Sequence, residues 1–321
     1  MASLDIAFQN LISPMTLCFV LGVVAVAIRS DLALPEPVAR FLSLYLMLAI
    51  GLKGGAELAQ APMATALPVF AAGLALTLAI PLWVYLALRR LTGRTAADCA
   101  GFAAHYGSVS AVTFIAATAF LDSAGIAHGS HATALLALME APAIVVAIML
   151  ARRAEGGAAS AGGVLGRTLS SKSVVLLAGG LAIGAIVGPA GLQPVKPLFV
   201  DLFRGLLCLF LLDLGLQAAR QGAAIRQAAP MILVLGVAVP LVNAALGLAL
   251  ASVIGLSVGE ATILATLAAS ASYIVAPAAI RSALPEADAG LALTAALAVT
   301  FPFNLLVGLP LYLGAARLLV G

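Results

Sequence analysis

Ten apolar runs, each near 20 residues and parted by short polar gaps, decide what this 321-residue chain can fold into. They fall at 14–29, 35–52, 64–89, 97–121, 132–152, 172–189, 197–217, 229–254, 260–281 and 291–316. A run of that length spans the hydrocarbon layer of a bilayer as a helix, which satisfies its own backbone there. The reading is an all-α membrane protein of about ten transmembrane helices. Charge supports it: only 9% of residues are charged and 63% are hydrophobic, whereas about 25% of a soluble domain is charged. So few charges cannot cover a soluble surface of this size, and lipid must cover much of it.

Several classes drop out on the same grounds. The net charge of +3 is scattered between apolar runs and forms no basic patch, which excludes nucleic-acid binding. Cys18, Cys99 and Cys208 each stand alone, with neither a disulfide framework nor transition-metal ligand spacing, and no cofactor is expected. The start, MASLDIAFQN, has an acid and no basic n-region, so the first apolar run is expected to stay in the mature protein.

The longest polar gap, Ala151 to Lys172, is rich in Gly, Ala and Ser and reads as a linker between two halves. Residues 1–152 and 172–321 would then be two repeats, with 153–171 joining them. Three landmarks recur in order: Gly51-Leu52 and Gly215-Leu216, Ser108-Val109-Ser110 and Ser270-Ala271-Ser272, Pro142 and Pro302. Their spacings of 164, 162 and 160 residues drift little, as a duplication predicts. Five helices per copy is odd, so the second copy must enter the membrane inverted. Of the 16 Lys and Arg residues, 12 lie on the side reached after helix 1. Positive charge favours the cytoplasm, so the linker is expected inside, both termini outside, and the protein in the bacterial inner membrane.

Inverted repeats place substrate and coupling ion near mid-bilayer, where matched helices are broken. Helix 4 carries AAHYGSVSAVTF (103–114) and helix 9 carries LAASASYIVAP (267–277), with small polar residues mid-span and Gly107 and Pro277 as breakers. A broken helix frees N–H and C=O groups that are tolerated only around a cavity or ligand. Free donors at a half-helix N-terminus suit an anion, while freed carbonyls and Ser hydroxyls suit sodium. Taken singly, Ser108, Ser110, Ser270 and Ser272 could be small residues that let helices pack closely; as two matched clusters they read as a site. Glu140 is a lone carboxylate in an apolar run, followed by Pro142, and so a functional candidate or a structural partner for an Arg. Asp213 is a structural or gating candidate that could reach Lys53, Asp201 and Arg204 are spaced for a local ion pair, and His105 and Tyr106 could line the site. His128 and His131 fall in the outer loop without evident partners.

GLKGG (51–55), HYGSVSAVTF (105–114), LMEAPAIV (138–145), FRGLLCLFLLDLGLQA (203–218) and LAASASYIVAPAAIRSALPEA (267–287) together resemble the sodium-dependent bicarbonate transporter family, the SbtA type. The resemblance implies crossed discontinuous helices 4 and 9. It implies a core domain (about 64–152 and 229–316), a gate domain (about 14–52 and 172–217), a trimer, and an elevator motion of core against gate. Its substrate positions would fall on Gly107, Ser108, Val109, Ser110, Ala269, Ser270, Ala271 and Ser272, and its sodium-binding or supporting positions on Ser110, Thr113, Glu140, Ser272 and Tyr273. Some members also pair with a PII-like cytosolic regulator. The family's cyanobacterial members carry Asp where this chain has Tyr273 and Glu140, and Gly-Ser where it has Ala111-Val112.

Three functions follow. The leading one is sodium-coupled symport of a small anion, bicarbonate first. A sodium- or proton-coupled carrier of another small organic anion is kept open by Tyr273 and Glu140. An intramembrane serine hydrolase rests only on Gly107-Ser108 near His105, and neighbours on one helix do not make a nucleophile–base pair.

Overall fold

The computed structural model describes residues 12–154, 163, 166, 169–222 and 229–321. Most of the expected linker, 153–171, lies outside the described residues. Every regular element among those described is helical. In chain order they are α1 (Pro14–Ala27), α2 (Glu36–Leu58), α3 (Met63–Leu91), α4a (Ala96–Gly107), α4b (Ala111–Ser123), α5a (Ala132–Glu140), α5b (Pro142–Ala154), α6 (Lys172–Leu192), α7 (Phe203–Arg220), α8 (Ala229–Val253), α9a (Val258–Ala269) and α9b (Val275–Ala283). The last rod, α10, joins Ala289–Thr294, Phe301–Phe303 and Leu309–Val320 through wider π turns at Ala295–Thr300 and Asn304–Gly308.

Seven of these stretches are long and apolar enough to cross a bilayer, and α1 and α9a are shorter apolar helices. The ten expected runs all form helix, but three fall short of a simple span for identifiable reasons. α1 has 14 residues, α9 is cut in two, and α7 carries Arg204, Asp213 and Arg220 along its length. Their outer faces are nonetheless apolar: Leu17, Leu21 and Val24 on α1, and Leu74, Leu78 and Leu82 on α3, are exposed as lipid-facing side chains should be.

The helices pack in two groups. In the first, α1 lies along α7 and α2 along α6. Small residues make both pairs close: a side chain on Gly22 would strike the Leu212 carbonyl, and one on Gly184 the Leu52 carbonyl. Backbones this near are the signature of small-residue packing in membranes. In the second group, α3 packs on α4a and α5b, and α8 and α10 pack on α9a. This group buries nearly all of α4 and α9a, whose flanks are Ala, Ile, Leu and Phe.

Three helices are interrupted within this second group. α4 opens at Ser108–Ser110 and α9 at Ser270–Ile274, both with extended backbone where each first half ends. The predicted breakers are not the broken residues. Gly107 is the last helical residue of α4a, and its missing side chain admits Pro81 and Ala143, each 2.9 Å from where a Cβ would stand. Pro277 sits in the first turn of α9b, where its absent N–H is not needed. The third break, at Ala141 between α5a and α5b, was not anticipated; 132–152 reads in sequence as one helix.

Candidate functional site

The two serine-containing breaks meet. Ser110 donates its backbone N–H to Ser270 Oγ at 2.9 Å, and Ser272 donates its own to the His105 carbonyl at 2.7 Å. The exchange is reciprocal: an N–H freed at each break finds its partner on the other helix. The new helix starts are capped locally. Ser110 Oγ accepts from Thr113 N at 3.2 Å, and Ser272 Oγ accepts from Ala276 N at 3.2 Å. Ser110 thus caps α4b, and Ser272, two residues before the cap position of α9b, serves that helix's first turn.

Buried amides take up the freed carbonyls. Asn304 Nδ2 donates to the Ala269 carbonyl at 3.0 Å while its Oδ1 accepts from Tyr312 at 2.7 Å. Asn243 Nδ2 reaches the Tyr106 carbonyl at 3.5 Å, and Trp83 Nε1 donates to Asn243 Oδ1 at 3.0 Å. Neither asparagine was singled out in the sequence. The signal was there: a fully buried Asn inside an apolar membrane run is as costly as a serine, and needs partners.

Between the breaks lies a cavity of about 10 Å³, lined by Val109, Ser110, Glu140, Ser272, Tyr273 and the opposing Met47 of α2, with Ala111, Ile274 and Val275 beside them. That volume is close to what one water-sized body needs. Glu140 is the only charged side chain on its wall. It is 4% exposed, and its Oε2 has no hydrogen-bond partner. The alternative of a structural Arg partner is not what the structure shows: no ion pair to Glu140 forms among the described residues. The break at Ala141 is what aims it here, because α5a ends at Glu140 and Ser108 Oγ donates to the freed Glu140 carbonyl at 2.7 Å.

Ser108, Ser270, Gly107, Thr113, Ala269 and Ala271 surround this cavity without lining it, whereas Tyr273 is part of its wall. Ser270 Oγ is engaged with Ser110 N and the Leu267 carbonyl. Gly107, Thr113, Ala269 and Ala271 are buried in the flanking turns. Tyr273 closes one side: its ring meets Phe301 edge-on at 5.7 Å, and Phe301 meets Phe19 of α1 at 5.5 Å. Ser108 Oγ and His105 Nδ1 both bond to backbone carbonyls, those of Glu140 and Gly101, so the pair a serine hydrolase needs does not form.

Residues 14–317 match the family described as the Na+-dependent bicarbonate transporter superfamily. The chain belongs to that superfamily. No curated protein sequence matches it. Membership makes this a multi-pass membrane transporter.

Several expected contacts fall elsewhere. Asp213 binds Gln217 at 2.6 Å instead of Lys53, because both lie one turn apart on α7. Lys53 stands 3.8 Å from Glu57, one turn along α2. Arg204 reaches Asp122 at 3.5 Å across the bundle instead of neighbouring Asp201. The outer-loop histidines do have partners: His128 meets Asp122 at 3.2 Å and His131 meets Glu260 at 3.5 Å. Asp122 is a near neighbour of His128 at the end of α4b, whereas Glu260 stands in the first turn of α9a, beyond what local spacing reveals.

Proposed function

We propose that the protein is a sodium-coupled symporter of a small anion, with bicarbonate the first candidate. The observation that carries this reading is the unpaired, buried Glu140 carboxylate in a water-sized cavity between two broken helices. A carboxylate so placed calls for a cation or a proton, and sodium is the ion the superfamily's description names. The Ser110 and Ser272 hydroxyls and the carbonyls of the breaks supply the neutral oxygens a hard cation takes. The anion would sit against Ser108–Ser110 and Ser270–Ser272, at the half-helix N-termini of α4b and α9b, once the cavity widens.

The architecture fits two inverted repeats. The breaks correspond, their hydrogen bonds are exchanged, and the glycine contacts pair helix 1 with helix 7 and helix 2 with helix 6 in matching fashion. Helices 1, 2, 6 and 7 would form the gate, and helices 3–5 and 8–10 the core that carries the site and moves as an elevator. A homotrimer in the bacterial inner membrane, with both termini outside the cytoplasm, completes the reading. An unpaired buried carboxylate serves a proton as well as sodium, so a sodium- or proton-coupled carrier of another small organic anion is the second reading.

Uptake of labelled bicarbonate into liposomes, with and without an inward sodium gradient, tests the proposal. Accumulation that follows the gradient supports it; uptake indifferent to sodium, for bicarbonate and for other small anions alike, sinks it.

A further inference from the structure

A second hollow, of about 290 Å³, opens between α2 and the 199–204 segment on one side and α4b and the following loop on the other. Its floor lies next to the small cavity. Ile50 lines the hollow and Met47, three residues back on α2, lines the cavity. Phe114 lines the hollow and Ser110, four residues back, lines the cavity. One helical turn, about 5.4 Å of rise, therefore separates the two spaces along both walls.

The hollow is where charge gathers. Lys53, Glu57, Asp122, His128 and Arg204 all line it. Asp122 is shared, meeting His128 through Oδ1 at 3.2 Å and Arg204 through Oδ2 at 3.5 Å. Two basic side chains thus lean on one carboxylate, and Arg204 touches it through a single nitrogen although a guanidinium offers five donors. Lys53 stands at the edge of ion-pair range from Glu57, with its side chain 49% exposed. His128 Nδ1 is buried and has no hydrogen-bond partner. These are donors and a ring nitrogen left over after the local pairs are made, in a space many times larger than the cavity below.

We infer that this vestibule is an anion-collecting station, in which Lys53 and Arg204 hold a small singly charged oxyanion one helical turn from the transport site. The inference rests on the transport reading for its purpose, but not for its test. The low-dielectric walls, Ile50, Phe114, Phe199 and Phe203, focus the field of the two fixed cations into the hollow. Glu57 and Asp122 keep the cations in place without saturating them, so an arriving anion displaces weak, half-exposed pairs.

Charge-selective labelling reads this directly. Thr118 lines the vestibule and is half-buried. Thr118→Cys is made in a Cys18→Ser/Cys99→Ala/Cys208→Ser background and purified in detergent. It is then treated with a sulfonate-bearing (anionic) or a trimethylammonium-bearing (cationic) methanethiosulfonate. Relative to each reagent's rate with a small free thiol, the anionic reagent should be favoured about tenfold at low salt, less so as salt rises, and adding Lys53→Gln and Arg204→Gln should remove the preference. Where the cysteine-free background gives poor protein, the same ratio is read at Thr118 by peptide mass spectrometry with the native cysteines kept. Equal labelling, a cationic preference, or no labelling of Thr118→Cys overturns the inference. An anionic preference in a protein that shows no sodium-driven uptake upholds the vestibule and removes the symport reading instead.

Discussion

Glu140 and Asn304 are both buried polar residues in apolar surroundings, and they differ in one respect: Asn304 is satisfied and Glu140 is not. On the transport reading, that difference separates a structural role for Asn304 from a functional one for Glu140. Asn304→Ala should leave the Ala269 carbonyl and the Tyr312 hydroxyl without a partner, lowering stability by about 1–3 kcal/mol; a thermal melt in detergent reads the loss. Glu140→Gln keeps the shape and removes the charge. It should abolish the rise in melting temperature that sodium chloride gives over choline chloride, a rise worth about 2.7 kcal/mol at a hundredfold excess over Kd. A sodium-induced shift of wild-type size in Glu140→Gln would remove the carboxylate from the cation site. Glu140 was legible in the sequence because a lone acid in an apolar run has few innocent explanations. Asn243 and Asn304 were passed over, although an amide in such a run asks the same question more quietly.

At the scale of elements, the breaks in helices 4 and 9 were legible as matched serine clusters, but not where the chain leaves the helix. Gly107 and Pro277 are the familiar breakers, yet both are helical here, and Ser108–Ser110 and Ser270–Ile274 unwind. The reason is tertiary: Ser110 N and Ser272 N find partners on the opposite broken helix and not within their own. The break at Ala141 was hidden for the same cause, since the Ser108 hydroxyl that takes the Glu140 carbonyl lies 32 residues away. The other helical group rests chiefly on close backbone contact, with Tyr45 donating to the Leu198 carbonyl as one tie. Gly184→Leu would drive a side chain into the Leu52 carbonyl and push α6 from α2. The expected loss is about 1–3 kcal/mol, the usual effect of overpacking, read as a lower melting temperature. Gly179→Ala, on the same helix where a Cβ meets nothing within 4 Å, serves as the control and should melt near wild type.

At the scale of the molecule, hydropathy and the charge count of the loops predict orientation, which contacts inside the bundle do not report. A C-terminal alkaline phosphatase fusion should be active in a bacterial host if Gly321 lies outside the cytoplasm; an inactive phosphatase paired with a fluorescent cytoplasmic reporter at the same position would invert the topology. Long-range charge pairing, by contrast, was invisible from sequence: Arg204 and Asp122 are 82 positions apart and meet only because α4b and α7 face each other in the fold.

The two adjoining spaces, about 290 Å³ and about 10 Å³, differ so much in size that hydration becomes the sieve. On the transport reading, a solute would keep its water shell in the wider chamber and give it up within the next turn of helix. Ions that hold water tightly, such as sulfate or divalent phosphate, would stall at that threshold even where their charge is welcomed. A weakly hydrated, flat monoanion passes more cheaply, so discrimination among anions here would follow dehydration energy before it followed the shape of any pocket.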